Sequence, residues 1–264
     1  MKSNYSIEET GIMLYSMPNG SFDLSMAWVG NSFRVVVKNA SSNEIIFLKV
    51  FHFQNANSFK DVVHDLKAIV ATDLLFSDTY RKVTVGSLGR AELYPTVHYN
   101  KDSTAFFSQQ LSGSEIMVAI PYPNHEMEFY TAFFPKAVFS LLPCNWIQLI
   151  LPDANESKLF VHISNGLMQV AYARSLNAIR FFSTFEFKTA EDFAYYTNLV
   201  AVELGLDRNK TCLVMSGDVV KDSALFKMAY TYFQEVKFFE VEGNAFSRLF
   251  DAYPRHQNID LFSL

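Results

Sequence analysis

Histidine and cysteine side chains are common metal ligands and catalytic groups, and their spacing decides whether they can act together. The histidines are His52, His64, His98, His125, His162 and His256. None are separated by the HxxxH or HExxH spacing that places two zinc ligands on one helix face. Cys144 and Cys212 form no CxxC pair, and Cys144 has no cation nearby in sequence to activate a thiolate. The sequence therefore predicts no metal site and no catalytic residue.

Glycine-containing turns are the second group of segments that could do chemistry. The sequence contains neither the phosphate loop GxxxxGK[ST] nor the nucleophile elbow GxSxG, and Gly86–Gly89 is too short for either. Two hairpin turns remain, at Gly30-Asn31 and at Asn165-Gly166, with a strand-to-helix turn at Ser216-Gly217-Asp218. By local chemistry alone these are an ordinary pair of hairpins and an ordinary connection, since Asn, Gly and Asp are common in both.

Composition excludes several classes of protein. The chain has 264 residues, is 50% hydrophobic and contains 26 Phe and 13 Tyr, so it can bury a large core. A net charge of −5 without clustered cations argues against a nucleic-acid partner. No apolar run reaches the ~20 residues of a membrane span. The N-terminus lacks a signal-peptide h-region, and the two isolated cysteines fit a reducing compartment, so we expect a cytoplasmic protein.

The first half of the chain predicts three strands and a helix. Residues Phe22–Lys38 alternate around the Gly30-Asn31 turn, with Phe22, Leu24, Met26 and Trp28 on one face. A third strand, Glu44–Phe53, is apolar on both faces, which is typical of a strand covered on both sides. A helix begins at Ser58, because a hydroxyl cap is followed three residues later by Asp61. Residues 1–20 are predicted to be a polar lead-in.

Residues 82–111 interrupt this pattern and are interpreted as an insertion. Strands are predicted at Lys82–Val85 and Leu93–Tyr99, and a helix at Asp102–Leu111. Four aromatic residues in a polar setting form either a small satellite cluster or a partner-binding surface; they are Tyr94, Tyr99, Phe106 and Phe107. The pattern then resumes with strand Glu115–Ile120, helix Asn124–Phe134, strand Ala137–Leu142 and helix Asn145–Leu151.

The second half repeats the order of the first. Strands Leu159–Ile163 and Leu167–Arg174 flank the Asn165-Gly166 turn, and a third strand covers Ala178–Phe187. A helix begins with a cap at Thr189 and ends at Gly205. Strand Thr211–Met215, helix Asp222–Phe233, strand Val236–Val241, helix Asn244–Ala252 and a tail, Pro254–Leu264, complete the chain. Because turn, strand end and helix cap recur after about half of the chain, we predict an internal duplication with two lobes, 1–152 and 153–264.

This arrangement of lobes resembles the actin, sugar-kinase and heat-shock-ATPase superfamily. The runs LSMAWVGNSFRVVVKNASSNEIIFLKVFHF and VTVGSLGRAELYPTVHY are similar to an uncharacterised Bacteroidota family, a domain of unknown function with an actin-like ATPase fold, related in fold to the pilus-assembly actin-like proteins. The resemblance implies an α/β protein of two ribonuclease-H-like lobes, each a mixed five-stranded sheet with flanking helices. It covers nearly the whole chain, but fold alone assigns no activity.

The resemblance also implies where ATP would bind. In such ATPases the hairpin turns and a later strand-to-helix turn surround the nucleotide between the lobes. The weak nucleotide-cleft candidates are therefore Gly30, Asn31, Ser164, Asn165, Gly166, Ser216, Gly217 and Asp218. The acid that holds magnesium stands two residues before a turn glycine, where this sequence has Trp28 and, in the second hairpin, His162. Neither side chain supplies the charged oxygen that magnesium prefers.

We therefore expect a protein with degenerate phosphate loops that acts as a non-hydrolysing scaffold or interaction module with a protein partner. No cofactor is expected. If one binds, ATP is the candidate. The alternative is a nucleotide-binding ATPase or kinase with atypical ligands, for example Asp23 or Asp218. A third possibility is a homo-polymer. A cleft filled by Trp28 and His162 would favour the first hypothesis.

Overall fold

The computed structural model describes residues 5–11, 20–54, 56, 58–77, 79–98, 105–164, 166–174, 179–240 and 246–264. The strands are β1 Tyr5–Gly11, β2 Phe22–Val29, β3 Ser32–Asn39, β4 Ile45–Phe53, β5 Lys82–Ser87, β6 Glu92–Pro95, β7 Phe106–Gln110, β8 Ile116–Pro121, β9 Val138–Leu141, β10 Lys158–Ser164, β11 Leu167–Ala173, β12 Ile179–Glu186, β13 Cys212–Gly217 and β14 Glu235–Phe238. The helices are α1 Phe59–Thr72, α2 Asn124–Phe133, α3 Leu142–Ile150, α4 Ala190–Glu203, α5 Ala224–Tyr232 and α6 Ile259–Phe262. Short 3-10 turns cover Leu74–Phe76, Thr96–His98, Leu151–Asp153 and Arg248–Phe250.

Two mixed sheets form the two lobes of an actin-like fold. The first has the order β1-β4-β3-β2-β5-β9 and the second the order β12-β11-β10-β13-β14. Four antiparallel strands in the first sheet and three in the second are followed by parallel ones, β5 and β9 in the first lobe and β13 and β14 in the second. The second sheet has the predicted strand order. In the first, the predicted fourth strand, Glu115–Ile120, belongs to a separate sheet and β5 takes its place, and the sheet has six strands rather than five.

The sixth strand, β1, lies in the predicted polar lead-in. It pairs antiparallel with β4 over its whole length, and the ring of Tyr5 packs against Phe51 and Phe53. Its charged residues Glu8 and Glu9 are exposed, as is typical of an edge strand protected from further pairing. Because these charges interrupt the apolar alternation that is typical of a strand, the sequence did not predict β1.

The predicted helix caps are confirmed in both lobes. The Asp61 carboxylate accepts a hydrogen bond from the Ser58 backbone N–H at 2.9 Å, and Asp192 and Thr189 exchange hydrogen bonds at 3.1 Å. Both caps satisfy N–H groups that a helix start leaves unpaired. The helices that follow, α1 and α4, cover the outer face of their sheets.

The predicted insertion is wrong in its boundaries and partly in its structure. β5 belongs to the first sheet, between β2 and β9, so Lys82–Ser87 is part of the lobe core. β6, β8 and β7 form a separate antiparallel sheet, and Phe106–Gln110 is a strand where a helix was predicted. Phe107 packs into the core beside the second sheet, whereas Phe106 is exposed. Residues 99–104, including Tyr99, lie outside the described residues.

The C-terminal part of the chain returns to the first sheet. We call residues 246–264 the C-terminal segment. Its apolar side chains Phe246, Phe250, Leu261 and Phe262 pack on the face of the first sheet opposite α1, against residues such as Val36 and Leu48. Ile259 packs with α3 and the second sheet instead. The predicted lobe boundary at residue 152 stays a prediction, and this segment contacts both lobes.

Candidate functional site: the cleft between the lobes

The predicted nucleotide-cleft residues are only partly brought together. β10 and β13 are parallel neighbours, with His162 opposite Ser216 and Ile163 opposite Gly217. The ends of these two strands, where Ser164 and Gly217 lie, are therefore at the same edge of the second sheet. Asn165 lies outside the described residues. In the first lobe, the residue that reaches this edge is Arg34 on β3, which no sequence motif identified.

The backbone of Gly217 lies at the centre of the site. Its φ of +86° and an added Cβ only 2.0 Å from the Ile163 carbonyl oxygen both require glycine here. Its N–H donates to the His256 carbonyl oxygen at 2.8 Å, and the Asp218 N–H donates to Ile163 at 2.7 Å. The donors of this turn are therefore bound by the chain itself.

His256 holds the C-terminal segment at this turn. Its ring stacks on Phe238 with centroids 3.8 Å apart, and Nε2 lies 2.7 Å from the Val219 carbonyl oxygen. Burial lowers the pKa of His256, against the opposing effect of that hydrogen bond. The neutral imidazole is thus favoured, with Nε2 as the donor.

His162 is buried with hydroxyl groups on both ring nitrogens. Its Nδ1 lies 3.0 Å from the Ser216 hydroxyl and its Nε2 lies 3.1 Å from the Ser164 hydroxyl. The Trp146 indole N–H donates to Ser216 at 3.2 Å and its ring lies 5.6 Å from the imidazole. This network fills the cleft side of β10 and β13 with side chains that satisfy one another.

Arg34 connects the two lobes by charge. One guanidinium nitrogen donates to both carboxylate oxygens of Asp218, at 2.9 and 3.0 Å, and another donates to Asn258 at 2.5 Å. Burial opposes the charge of Arg34, but Asp218 and Asp260 outweigh it and raise the pKa of the guanidinium. A buried arginine with fixed acceptors is a strong positional constraint.

Asp260 is a buried carboxylate that the sequence analysis missed. Oδ1 accepts a hydrogen bond from the Leu261 N–H, whereas Oδ2 lies 3.4 Å from His162 Nε2 and has no hydrogen-bond partner among the described residues. Burial pushes its pKa up, but His162, then Arg34, lower it below the ordinary value. The sequence did indicate that this part of the chain is buried, because the apolar residues Ile259, Leu261 and Phe262 are unusual in a solvated tail.

Trp28 does not fill the cleft. Its ring packs against Phe53 and Phe59, on the helix side of the first sheet. Ala27 and Val29 occupy the cleft face of the same strand. Asp23 is also misplaced for a metal, because it pairs with Arg81 at the far end of β2, ~23 Å of strand from Gly30.

These residues do not fit a magnesium nucleotide as they stand. The Gly217 N–H and the Arg34 guanidinium are engaged by His256, Asp218 and Asn258. Among the described residues, no group of three or more His, Cys, Asp or Glu side chains could hold a metal ion. In the same part of the chain, none of the helices has both the length and the apolar character needed to cross a bilayer.

Comparison with known proteins places this geometry in a known fold. A family model described as "Protein of unknown function (DUF3822)" matches residues 19–236. A Bacteroides thetaiotaomicron protein with an actin-like ATPase fold and unknown function is 14% identical at a TM-score of 0.75, covering 96% of this chain and 98% of that chain. The ethanolamine utilization protein EutJ of Carboxydothermus hydrogenoformans is 6% identical at a TM-score of 0.53, covering 94% and 89%. Among curated proteins, none matches the sequence. At these identities the likeness concerns the fold alone.

Proposed function

The chain belongs to the DUF3822 family of proteins of unknown function, and from that premise we propose that it is a non-hydrolysing protein of actin-like fold that acts through protein contacts. In this proposal the C-terminal segment occupies the place that a nucleotide takes in active relatives of the fold. The observation that carries it is the hydrogen bond from the Gly217 N–H to the His256 carbonyl oxygen, at 2.8 Å.

Two further features support this proposal. The cleft face of β2 carries Ser25, Ala27 and Val29, so no carboxylate of that strand end faces the cleft. On the opposite side, the side chains of His162 and Ser216 satisfy each other's polar atoms. Since removing one charge contact to a transition state commonly costs about 3–4 kcal/mol, a cleft without metal-holding acids would hydrolyse ATP very slowly. A cytoplasmic location is part of the proposal, because Cys144 and Cys212 are free and buried.

The test is an ATP titration of the purified protein with and without magnesium, together with a phosphate-release assay. Trp146 borders His162 and serves as the intrinsic fluorophore. We expect neither a saturable fluorescence change nor magnesium-dependent phosphate release above a protein-free blank. Magnesium-dependent turnover that scales with protein concentration would overturn the proposal.

One observation favours the alternative of an ATPase with atypical ligands. Oδ2 of Asp260 is buried, faces His162, and accepts no hydrogen bond from a described residue. This carboxylate is a better candidate than Asp23 or Asp218, which are paired with Arg81 and Arg34. The alternative predicts phosphate release that Asp260→Asn abolishes and that Asp251→Asn, on the exposed part of the same segment, leaves unchanged.

A further inference from the structure

The edge strands of the two sheets are protected to different degrees. In the first sheet, the Leu141 N–H of β9 donates to the Gln109 side chain of β7 at 2.7 Å, and the other edge strand, β1, carries exposed glutamates. In the second sheet, the Thr184 hydroxyl of β12 lies 3.2 and 3.3 Å from the backbone N–H and carbonyl groups of Ala91. β14 lies at the other end of that sheet, and no strand formed by the described residues pairs with its outer side. An open strand edge of this kind is a template for pairing with another strand.

The backbone of β14 shows which groups face this open edge. The Phe239 N–H donates to the Met215 carbonyl oxygen at 2.8 Å, so the odd-numbered residues turn their backbone groups towards β13. Val236 and Phe238 therefore turn theirs outwards, because backbone groups alternate along a strand. The Val236 carbonyl accepts a hydrogen bond from the Tyr230 hydroxyl at 3.0 Å, and a carbonyl oxygen has a second lone pair for another donor.

The side chains of β14 place opposite charges on one face of the strand. Glu235 and Lys237 are exposed, lie two positions apart on the same face, and form an ion pair. The other face carries Val236, which packs against α5, and the exposed ring of Tyr230 lies on that side. An open groove of about 960 Å³ follows the strand and is lined by residues of both faces, among them Lys237 and Tyr230.

We propose that β14 pairs antiparallel with β14 of a second copy of the chain, about a two-fold axis at Val236. The outward N–H and carbonyl groups of Val236 and of the partner's Val236 then exchange two hydrogen bonds. On one face Glu235 lies opposite the partner's Lys237, and by symmetry Lys237 lies opposite the partner's Glu235. On the other face the Tyr230 rings of the two copies lie beside the axis, because each hydroxyl is bonded to Val236. The two five-stranded sheets thereby join into one continuous sheet.

The order of the charges selects both the register and the occupant. Moving the axis by one residue would set Lys237 against the partner's Lys237, or Glu235 against the partner's Glu235, which is repulsive. An unrelated strand would need a lysine and a glutamate in this order, whereas the chain's own β14 supplies both. Because a two-fold contact uses the same edge of both copies, the assembly closes as a dimer and does not grow into a polymer. The inference goes beyond the function proposed above and does not depend on whether the cleft binds ATP.

Sedimentation velocity of the full chain over about 1 to 100 μM tests this inference. We expect a reversible monomer–dimer equilibrium. Glu235→Lys and Lys237→Glu should each weaken self-association at least tenfold, because each variant sets like charges opposite one another twice. An equimolar mixture of the two variants should recover the dimer, since both cross-strand pairs of the mixed interface are again between opposite charges.

Glu156→Lys and Lys210→Glu are matched controls, because each makes the same charge change in an exposed ion pair of the second lobe that does not include β14. They should leave the equilibrium unchanged, and circular dichroism checks that each variant is folded. The inference would be overturned by a wild-type chain that stays monomeric or forms filaments, by a dimer that survives both single changes, or by a mixture that stays monomeric. An ATP titration of Lys237→Glu is read separately and reports only on the cleft.

Discussion

The two hairpins present different chemistry to the cleft from the same scaffold. On the first, Ala27 lies opposite Arg34, and on the second His162 lies opposite Gln169. Arg34 reaches out of its lobe to Asp218, whereas His162 makes hydrogen bonds to hydroxyls of its own lobe. The first side of the cleft is thus held by an ion pair between the lobes, and the second by hydroxyl hydrogen bonds to His162 with the Asp260 carboxylate beside the imidazole. In both, the C-terminal segment supplies a partner, Asn258 to Arg34 and Asp260 beside His162.

The comparison predicts that a substitution on the Arg34 side of the cleft lowers the free energy of unfolding more than one on the His162 side. Arg34→Met should lower the free energy of unfolding by about 3 kcal/mol, because it leaves Asp218 and Asn258 without their shared donor. Urea denaturation measures the change. Arg81→Met is the matched control, since Arg81 forms an exposed pair with Asp23, and its smaller effect should decrease further with added salt. Equal losses of unfolding free energy in the two variants would show that the Arg34–Asp218 pair stabilises the protein no more than an exposed pair does.

The turn after the central parallel strand also differs between the lobes. β5 ends at Ser87 with an ordinary φ, whereas β13 ends at Gly217 with a φ of +86°. Gly217→Ala should destabilise the protein by about 2.5 kcal/mol, because the new Cβ would overlap the Ile163 carbonyl and disturb the His256 contact. Gly205→Ala, at a φ of +64° in open space, should cost about 1 kcal/mol. Thermal unfolding of both variants measures the difference, and similar shifts would contradict a tight turn at Gly217.

The His162 side of the cleft can be tested through Asp260. At pH 7, Asp260→Asn should reduce the free energy of unfolding by about 2 kcal/mol, because the charged form is favoured in the folded protein. The folded pKa lies below the unfolded value, so this contribution is present above about pH 4 and is lost as the pH falls further. The gap between wild type and variant in urea denaturation should therefore narrow towards pH 3. Asp251→Asn, an exposed change in the same segment, should show no such gap at any pH.

Local signals predicted much of the fold. The capping boxes at Ser58 and Thr189 and the two hairpins depend on neighbouring residues, and all are confirmed. The edge strand β1 was missed because its pattern is dominated by exposed charges. The strand Phe106–Gln110 was mistaken for a helix because its pairing with β8 is a tertiary contact.

The cleft could be predicted only in part, and Trp28 shows why. Counting two residues back from Gly30 placed it at a metal position, yet the alternation of Leu24, Met26 and Trp28 had already put it on the apolar face. A shift of one residue turns a strand side chain to the other face, so alternation is the better guide. Arg34 and Asp260 were missed because their partners lie far away in sequence. The predicted duplication stays a prediction.

The smallest expected effect concerns buried polar atoms on the helix-covered faces of the two sheets. In one lobe such an atom has a hydrogen-bond partner, and in the other it has none among the described residues. In the second, the buried Thr197 hydroxyl donates to the Phe193 carbonyl at 2.9 Å. In the first, Glu126 Oε2 is buried without a hydrogen-bond partner among the described residues, and burial raises the pKa of Glu126 to about 8. Because the folded pKa exceeds the unfolded one, the stability contribution of Glu126 is complete below about pH 4.5 and is lost as the pH rises to 8. Because the Glu126 side chain is only partly buried and water screens its charge, we expect much less than the full shift implies: Glu126→Gln should stabilise the protein by roughly 1–2 kcal/mol at pH 8 and by nothing at pH 4. Urea denaturation at both pH values checks this, with the exposed Glu128→Gln as control; a gain that is equal at the two pH values would rule out ionisation as its cause.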